Sequence, residues 1–145
     1  MRTLATMLLA GFMSAAGGAA PDGAKEDAKH LQGTWEVQSA EYAGFAIPQE
    51  QIRGWQMVFA GDKVTVTFLT WKQETLPFSL DASQDPKEID LTNPDKMLLP
   101  GLYALDKDTL KICLGGDKRP GTFASRPGSN CFMVLKRKPP AVKKN

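Results

Sequence analysis

The stretch Gly33-Thr34-Trp35 constrains the fold of this chain more than any other, because it opens an alternating pattern that recurs along the rest of the sequence. From Trp35 onward, apolar residues tend to occupy every second position, which is the period of a β-strand that buries one face. Trp35, Val37 and Ser39 are expected to share one face of the first strand. The pattern predicts an all-β domain.

Strand-like runs follow one another at short intervals and are separated by turn sequences such as Ala60-Gly61-Asp62-Lys63 and Asp106-Lys107-Asp108. About eight short strands joined in this way are typical of an up-and-down antiparallel β-barrel. A two-sheet sandwich is the alternative, but closure of a barrel removes the sheet edges at which chains aggregate. Residues Glu26 to Leu31 predict a short helix that plugs one end of the barrel.

The first residues have the features of a cleavable export signal. Arg2 precedes the apolar run Leu4 to Met13, and the small residues Ser14 to Ala20 offer cleavage points after Ala16, Gly18 or Ala20. The apolar run is shorter than the ~20 residues that a bilayer-spanning helix needs. Since no cysteine precedes Cys113, no lipid anchor on a processed N-terminal cysteine is expected. We therefore expect a secreted or periplasmic protein without a membrane span.

The predicted organisation consists of one domain, two segments before it and one after it. The segments are a signal peptide over 1–20, a flexible leader over 21–29, a β-barrel over 30–137 and a disordered basic tail over 138–145. The formal net charge is +2, but five basic residues stand in the last ten positions. Such a tail either contacts an anionic envelope polymer or is simply solvated. With no phosphate-binding loop or nucleic-acid motif, no nucleic-acid partner is expected.

Several fragments together resemble a known domain family. They are Leu31-Gln32-Gly33-Thr34-Trp35, Pro86-Lys87-Glu88-Ile89-Asp90, Gly101 to Asp106, Asp108 to Cys113, Arg119-Pro120, Phe123-Ala124-Ser125 and Val134-Leu135-Lys136-Arg137. This combination resembles an uncharacterised small domain that planctomycete bacteria carry in many paralogous copies, and it covers about residues 30 to 137. The resemblance implies a lipocalin-like fold, and the family brings no established reaction, ligand or catalytic residues.

The ends of the domain also resemble lipocalins proper, through Gly-Xaa-Trp near the start and a basic residue near the end. In that larger family an arginine of the last strand packs across the tryptophan at the closed end, a cation–π contact worth about 0.5–2 kcal/mol. The resemblance implies that Trp35 and Arg137 pack together at one end of the barrel.

Bulky residues of the predicted inward faces are the candidates to line a ligand site. They are Trp35, Trp55, Met57, Phe59, Val66, Phe68, Phe78 and Tyr103. In a small barrel such side chains either enclose a pocket or fill the axis and leave none. A small apolar ligand is expected in the first case, and a protein-interaction module of the cell envelope in the second.

Cys113 and Cys131 raise the question of a disulfide, which export permits. If Leu110, Ile112 and Leu114 point inward, Cys113 points outward, and a disulfide requires Cys131 to point outward too. The contact between Trp35 and Arg137 requires the opposite, because Arg137 and Cys131 share one face of a regular strand. Only a bulge would reconcile the two arrangements.

Residues 115–130 form a long loop that contains Arg119, Phe123 and Arg126. Long loops in compact domains are often binding elements. The arginines would meet an anionic group while Phe123 contacts a partner. Alternatively, Phe123 covers the barrel mouth and the arginines pair with nearby acids.

The sequence contains no recognisable catalytic set. His30 is the only histidine and lies before the first strand, so a histidine-based triad or a multi-histidine metal site has no residues to use. We predict no catalytic, cofactor-binding or metal-binding residues and no cofactor. The expected protein is an exported, non-enzymatic, lipocalin-like domain whose partner is unknown.

Overall fold

A computed structural model of the chain describes residues 23–68, 71–116, 118–125 and 131–139. The predicted signal peptide, Arg126 and most of the predicted basic tail lie outside these ranges, as does the side chain of Phe68. No helix among the described residues is long and apolar enough to cross a membrane.

Strands dominate the described part of the chain. The strands are β1 (Gly33–Tyr42), β2 (Phe45–Ala46), β3 (Gln56–Ala60), β4 (Lys63–Phe68), β5 (Trp71–Asp81), β6 (Lys87–Thr92), β7 (Leu98–Asp106), β8 (Thr109–Leu114) and β9 (Cys131–Arg137). Helix α1 covers residues 23–31, and the four-residue helix α2 (Gln49–Ile52) lies between β2 and β3.

The sheet closes on itself. From β3 to β9 each strand pairs antiparallel with the next, and β1 pairs with both β3 and β9. Strand β2 is a two-residue addition beside the end of β1, so eight strands form the barrel. The structure confirms the predicted up-and-down barrel and shows that the sandwich alternative is wrong.

A bulge in β1 changes the inward face of the first strand. The pairing with β9 runs Trp35 to Arg137 and Val37 to Leu135, and then skips one residue of β1 so that Ser39 pairs with Val134. After this extra residue Ala40 is buried and Ser39 is exposed. The expectation that Ser39 points inward is therefore wrong, because an inserted residue reverses the alternation.

Helix α1 closes one end of the barrel and begins earlier than the sequence indicated. Residues 23–29, expected to be a flexible leader, are its first turns. Leu31 is fully buried in the core, and its carbonyl accepts a hydrogen bond of 2.8 Å from Trp35 Nε1. Burial of Leu31 and the polar contacts of Asp27 stabilise this helix against the barrel.

The barrel axis is occupied by side chains. One apolar cluster runs from Leu31, the last residue of α1, through all eight barrel strands, and its buried members are all less than one-tenth exposed. Phe59 of β3 and Phe78 of β5 meet edge to face with ring centroids 5.1 Å apart, a favourable aromatic geometry.

Arg137 packs over Trp35 at the α1 end. The guanidinium carbon lies 4.3 Å from the centroid of the Trp35 ring. The same guanidinium donates to the carbonyl of Gln32 at 2.9 Å and to that of His30, and it pairs with Asp108 at 3.1 Å. Arg137 thus joins the last strand, the first strand and the end of α1 through one side chain.

Substitution of Arg137 tests this junction. Arg137→Ala should lower the free energy of unfolding by about 2 kcal/mol, since it removes the cation–π contact and three hydrogen bonds, one of them to the Asp108 carboxylate. Lys136→Ala, an exposed neighbour on the same strand, is the control and should change stability by less than ~0.5 kcal/mol. Urea unfolding followed by tryptophan fluorescence measures both variants. Equal midpoints would show that the junction does not stabilise the barrel.

Candidate functional site

The residues predicted to line a ligand pocket lie mainly in the core. Five of them are almost completely buried in one cluster: Trp35, Met57, Phe59, Val66 and Tyr103. Trp55 and Phe78 are partly buried and pack against that cluster. None of the five buried residues lines any of the three cavities described below. Their packing with one another, rather than with a ligand, accounts for their burial.

Large exposed apolar side chains of the described residues are all at the end of the barrel opposite α1. Tyr42 is 47% exposed and Phe45 75%, and both belong to the β1–β2 hairpin. Met97 is 61% exposed and Leu98 58%, and they lie where β7 begins after its turn from β6. The two pairs lie on opposite sides of the barrel rim, because β7 is three strands from β1. Exposed apolar patches are a mark of binding surfaces. We call this end of the barrel the open end.

An apolar cup of about 630 Å³ lies at the open end. Its lining residues are Tyr42, Ala43, Phe45, Ala46, Ile47, Pro48, Gln51 and Trp55. The β1–β2 hairpin supplies one wall, and α2 with its flanking residues supplies the other. The volume is within the ~300–1,000 Å³ range of small-molecule sites.

The cup has few polar groups. Among its eight lining residues none carries a charge at neutral pH, and the hydrogen-bonding side chains are the Tyr42 hydroxyl, the Gln51 amide and the Trp55 indole N–H. This arrangement can hold an uncharged apolar molecule and orient it by a few hydrogen bonds. It contains no carboxylate, thiol or imidazole that could transfer a proton or attack a substrate.

Two smaller cavities differ from the cup in position and in polarity. One, of about 350 Å³, is a more polar groove bordered by Glu36, Gln38, Gln49 and Arg53 between β1 and α2. The other, of about 210 Å³, lies beside α1 and is bordered by Ala24, Ala28, Phe78 and Leu80 among others. Phe78 therefore borders a shallow site at the plugged end rather than a central pocket.

A polar cluster fastens α1 to the barrel. Asp27 of α1 accepts a hydrogen bond of 2.6 Å from the Tyr103 hydroxyl and pairs with Lys87 Nζ at 2.9 Å. Burial, followed by the hydrogen bond to Asp27, raises the pKa of Tyr103 well above its usual range. Within the described residues no group of three or more histidine, cysteine or acidic side chains is placed to hold a metal ion. The cluster joins the plug to strands β6 and β7.

Cys113 and Cys131 are free and buried, so the disulfide considered from the sequence is absent. Leu114 pairs with Cys131 and Cys113 with Phe132, in an uninterrupted register between β8 and β9. Cys131 therefore points inward with Met133, whereas Cys113 points outward. The strand keeps the parity that Trp35 and Arg137 require, and two thiols on opposite faces of a sheet cannot bond. Burial raises the pKa of both thiols, that of Cys131 to about 12.

Residues 118–125 pass over the outer face of the sheet, and we call this segment the strap. Arg119 pairs with Asp90 at 2.8 Å and Glu88 at 3.4 Å, and it donates to the Gly101 carbonyl at 3.0 Å. Phe123 packs on Phe132 with ring centroids 6.2 Å apart. Phe123 therefore covers the outside of the barrel rather than its mouth, while Arg119 pairs with acids of its own chain.

Sequence reasoning missed most of the cup. Of its lining residues only Trp55 was a candidate, because the others lie in a turn, a two-residue strand and a four-residue helix. None of these elements is long enough to show a period. Phe45-Ala46-Ile47-Pro48, an apolar run directly after a glycine turn, was the available signal. Its residues are apolar without belonging to an alternating strand.

Comparison of the chain with protein-family models, curated proteins and solved structures gives no match. The candidate site consequently rests on its own geometry.

The thiols provide one test of the strand parity. In the native protein at mildly alkaline pH neither Cys113 nor Cys131 should react with Ellman's reagent, because both are buried and their pKa values are raised. In guanidinium chloride, without reductant, both of the chain's cysteines should react. A denatured protein that releases no colour, with an intact mass lower by two hydrogens, would show a disulfide instead.

The Tyr103 hydroxyl provides a second test, with a defined pH dependence. At neutral pH Tyr103→Phe should destabilise the protein by about 1.5–3 kcal/mol, since it removes a hydrogen bond to a carboxylate. Because the pKa of Tyr103 is raised in the folded state, the unfolded chain loses this proton first as the pH rises. The wild-type protein should therefore lose stability above a pH of about 10.

Tyr103→Phe lacks this titration, so the stability difference between the two proteins should shrink above that pH. Urea unfolding at neutral and at high pH measures the difference. A constant difference would contradict the raised pKa.

Proposed function

We propose that this protein is an exported, non-enzymatic, lipocalin-like domain that binds a small apolar ligand, and that the ligand occupies the cup at the open end. The supporting observation is the cup itself, an uncharged concave site of about 630 Å³ on a barrel whose axis is filled. The site differs from the axial pocket that the sequence suggested, while the ligand class stays the same.

The contrast between the two ends of the barrel supports this proposal. At the plugged end, α1 and the polar contacts of Asp27 and Arg137 cover the axis. At the open end, Tyr42 and Phe45 remain exposed although a folded domain gains by burying such rings. A ligand in the cup would bury these rings without any change in the barrel.

The lining defines the chemistry of the ligand. A charged molecule would lose its hydration in the cup and find no opposite charge among the eight lining residues. A neutral molecule with an extended apolar part gains from contact with Phe45, Ile47 and Trp55. One polar group on it could bond to the Gln51 amide or the Tyr42 hydroxyl.

A protein-interaction module is the second candidate, and Met97 and Leu98 favour it. Both are more than half exposed at the open end, yet neither lines the cup. A protein partner of the envelope could cover them together with Phe45, whereas a small ligand would leave them in water. Variants at Phe45 and Leu98 distinguish the two functions.

Titration with N-phenyl-1-naphthylamine, an uncharged apolar fluorophore, tests the cup. The wild-type protein should enhance its fluorescence, and Phe45→Ala should weaken binding roughly tenfold because it removes an aromatic wall. Leu98→Ala is the matched control, an exposed apolar residue at the same end but outside the cup, and should bind like the wild type.

Two outcomes would count against the proposal. Failure of the wild-type protein to bind this or other neutral apolar probes would remove the ligand function. Equal loss in both variants would show a broad apolar surface, as the interaction module requires.

A further inference from the structure

The β1–β2 hairpin forms half of the cup, and its turn and second strand have a ladder of only two residue pairs. It supplies four of the eight lining residues, Tyr42, Ala43, Phe45 and Ala46. Its ladder consists of two residue pairs, Glu41 with Ala46 and Tyr42 with Phe45. Ala43 and Gly44 make the turn with φ of 53° and 90°.

Glu41 and Tyr42 also pair with Phe132 and Cys131 of β9, so the β1 side of this wall is fixed by the barrel. The turn and β2 have only the short ladder with β1 and one hydrogen bond of 2.9 Å from the Ile47 N–H to the Ala40 carbonyl. Because two-stranded hairpins are marginal in water, the position of the turn and β2 depends on further contacts.

Ser125 of the strap supplies such contacts. The backbone N–H of Gly44 donates to Ser125 Oγ at 3.0 Å, and the Ser125 hydroxyl donates to Glu41 Oε1 at 3.2 Å. One hydroxyl thus accepts from the turn and donates to the strand that leads into it. A serine hydroxyl can do both at once, because it has one donor and two acceptor positions.

The strap is itself held in place, so Ser125 lies on a fixed support. Arg119 ties the start of the strap to Glu88 and Asp90 on β6. Just before Ser125, the Ala124 carbonyl accepts a hydrogen bond of 3.5 Å from Cys113 Sγ, and Phe123 packs on Phe132. The strap therefore stays in place if the hairpin moves away from Ser125.

We infer that Ser125 is a positioning residue that fixes the β1–β2 hairpin as a wall of the cup. We call the two hydrogen bonds of Ser125 the latch. With the latch intact, the turn and β2 hold Phe45 in the orientation that defines the cup. Without the latch, the turn and β2 sample open positions, and a ligand must bring them back before it gains their contacts. The effect on ligand affinity rests on the proposed function, whereas the latch itself does not.

Amide hydrogen exchange of the free protein tests the latch without any ligand. The Gly44 amide should be protected in the wild type, and Ser125→Ala should speed its exchange roughly fivefold by removing its acceptor. Ser125→Thr keeps the hydroxyl and should restore protection. Ser79→Ala, an exposed serine on β5 near the plugged end, is the matched control and should leave the hairpin unchanged.

The same variants, titrated with N-phenyl-1-naphthylamine, test the consequence for binding. Ser125→Ala should weaken binding roughly fivefold and speed dissociation of the probe, while Ser125→Thr and Ser79→Ala bind like the wild type. Unchanged exchange in Ser125→Ala would overturn the latch. Faster exchange with unchanged affinity would overturn its role in the cup.

The two proposals fail in different ways. If the wild-type protein does not bind the probe, the proposed function fails, and the exchange measurement still decides on the latch. If Ser125→Ala does not fold, the wild type alone remains decisive, because a Gly44 amide that exchanges as fast as an unprotected peptide would contradict the latch.

Discussion

The packing of Arg137 against Trp35 is the interaction on which the rest of this structure depends. The guanidinium lies over the indole, reaches the carbonyls at the end of α1, and belongs to the strand that closes the barrel against β1. The pair fixes which face of β9 points inward. Met133 and Leu135 then enter the core, Cys131 follows them, and a disulfide with Cys113 on the other face becomes impossible.

Closure of the barrel by α1 at one end restricts the candidate binding surface to the opposite end. Bulky side chains fill the barrel axis. Helix α1, which Asp27 joins to Tyr103, covers the plugged end. The apolar surface that remains available lies at the opposite end, around the β1–β2 hairpin. The bulge in β1 contributes, because the extra residue puts Tyr42 on the face that leads to the cup. The filled interior and the exposed cup therefore both follow from the packing of the core side chains and α1 at the plugged end.

Much of the barrel could be predicted from the sequence, because alternating residues such as Ile89 and Leu91 report directly which face is buried. The pairing of Trp35 with Arg137 followed from a resemblance and agrees with the geometry. The bulge in β1 could not be predicted, since nothing in Val37-Gln38-Ser39 marks an inserted residue. The cup could not be predicted either, for a related reason. It is assembled from short irregular segments whose relative position is set by distant residues, among them Ser125, 81 positions after Gly44.

Nuclear Overhauser effects between the bound apolar probe and the protein would test most directly whether binding occurs outside the filled axis. If the ligand binds in the cup, the probe should contact Phe45, Ile47 and Trp55 and none of the core residues Met57, Val66 and Tyr103. Contacts to those core residues, with loss of the Trp35 packing, would show that the barrel opens to take its ligand inside and would contradict the account.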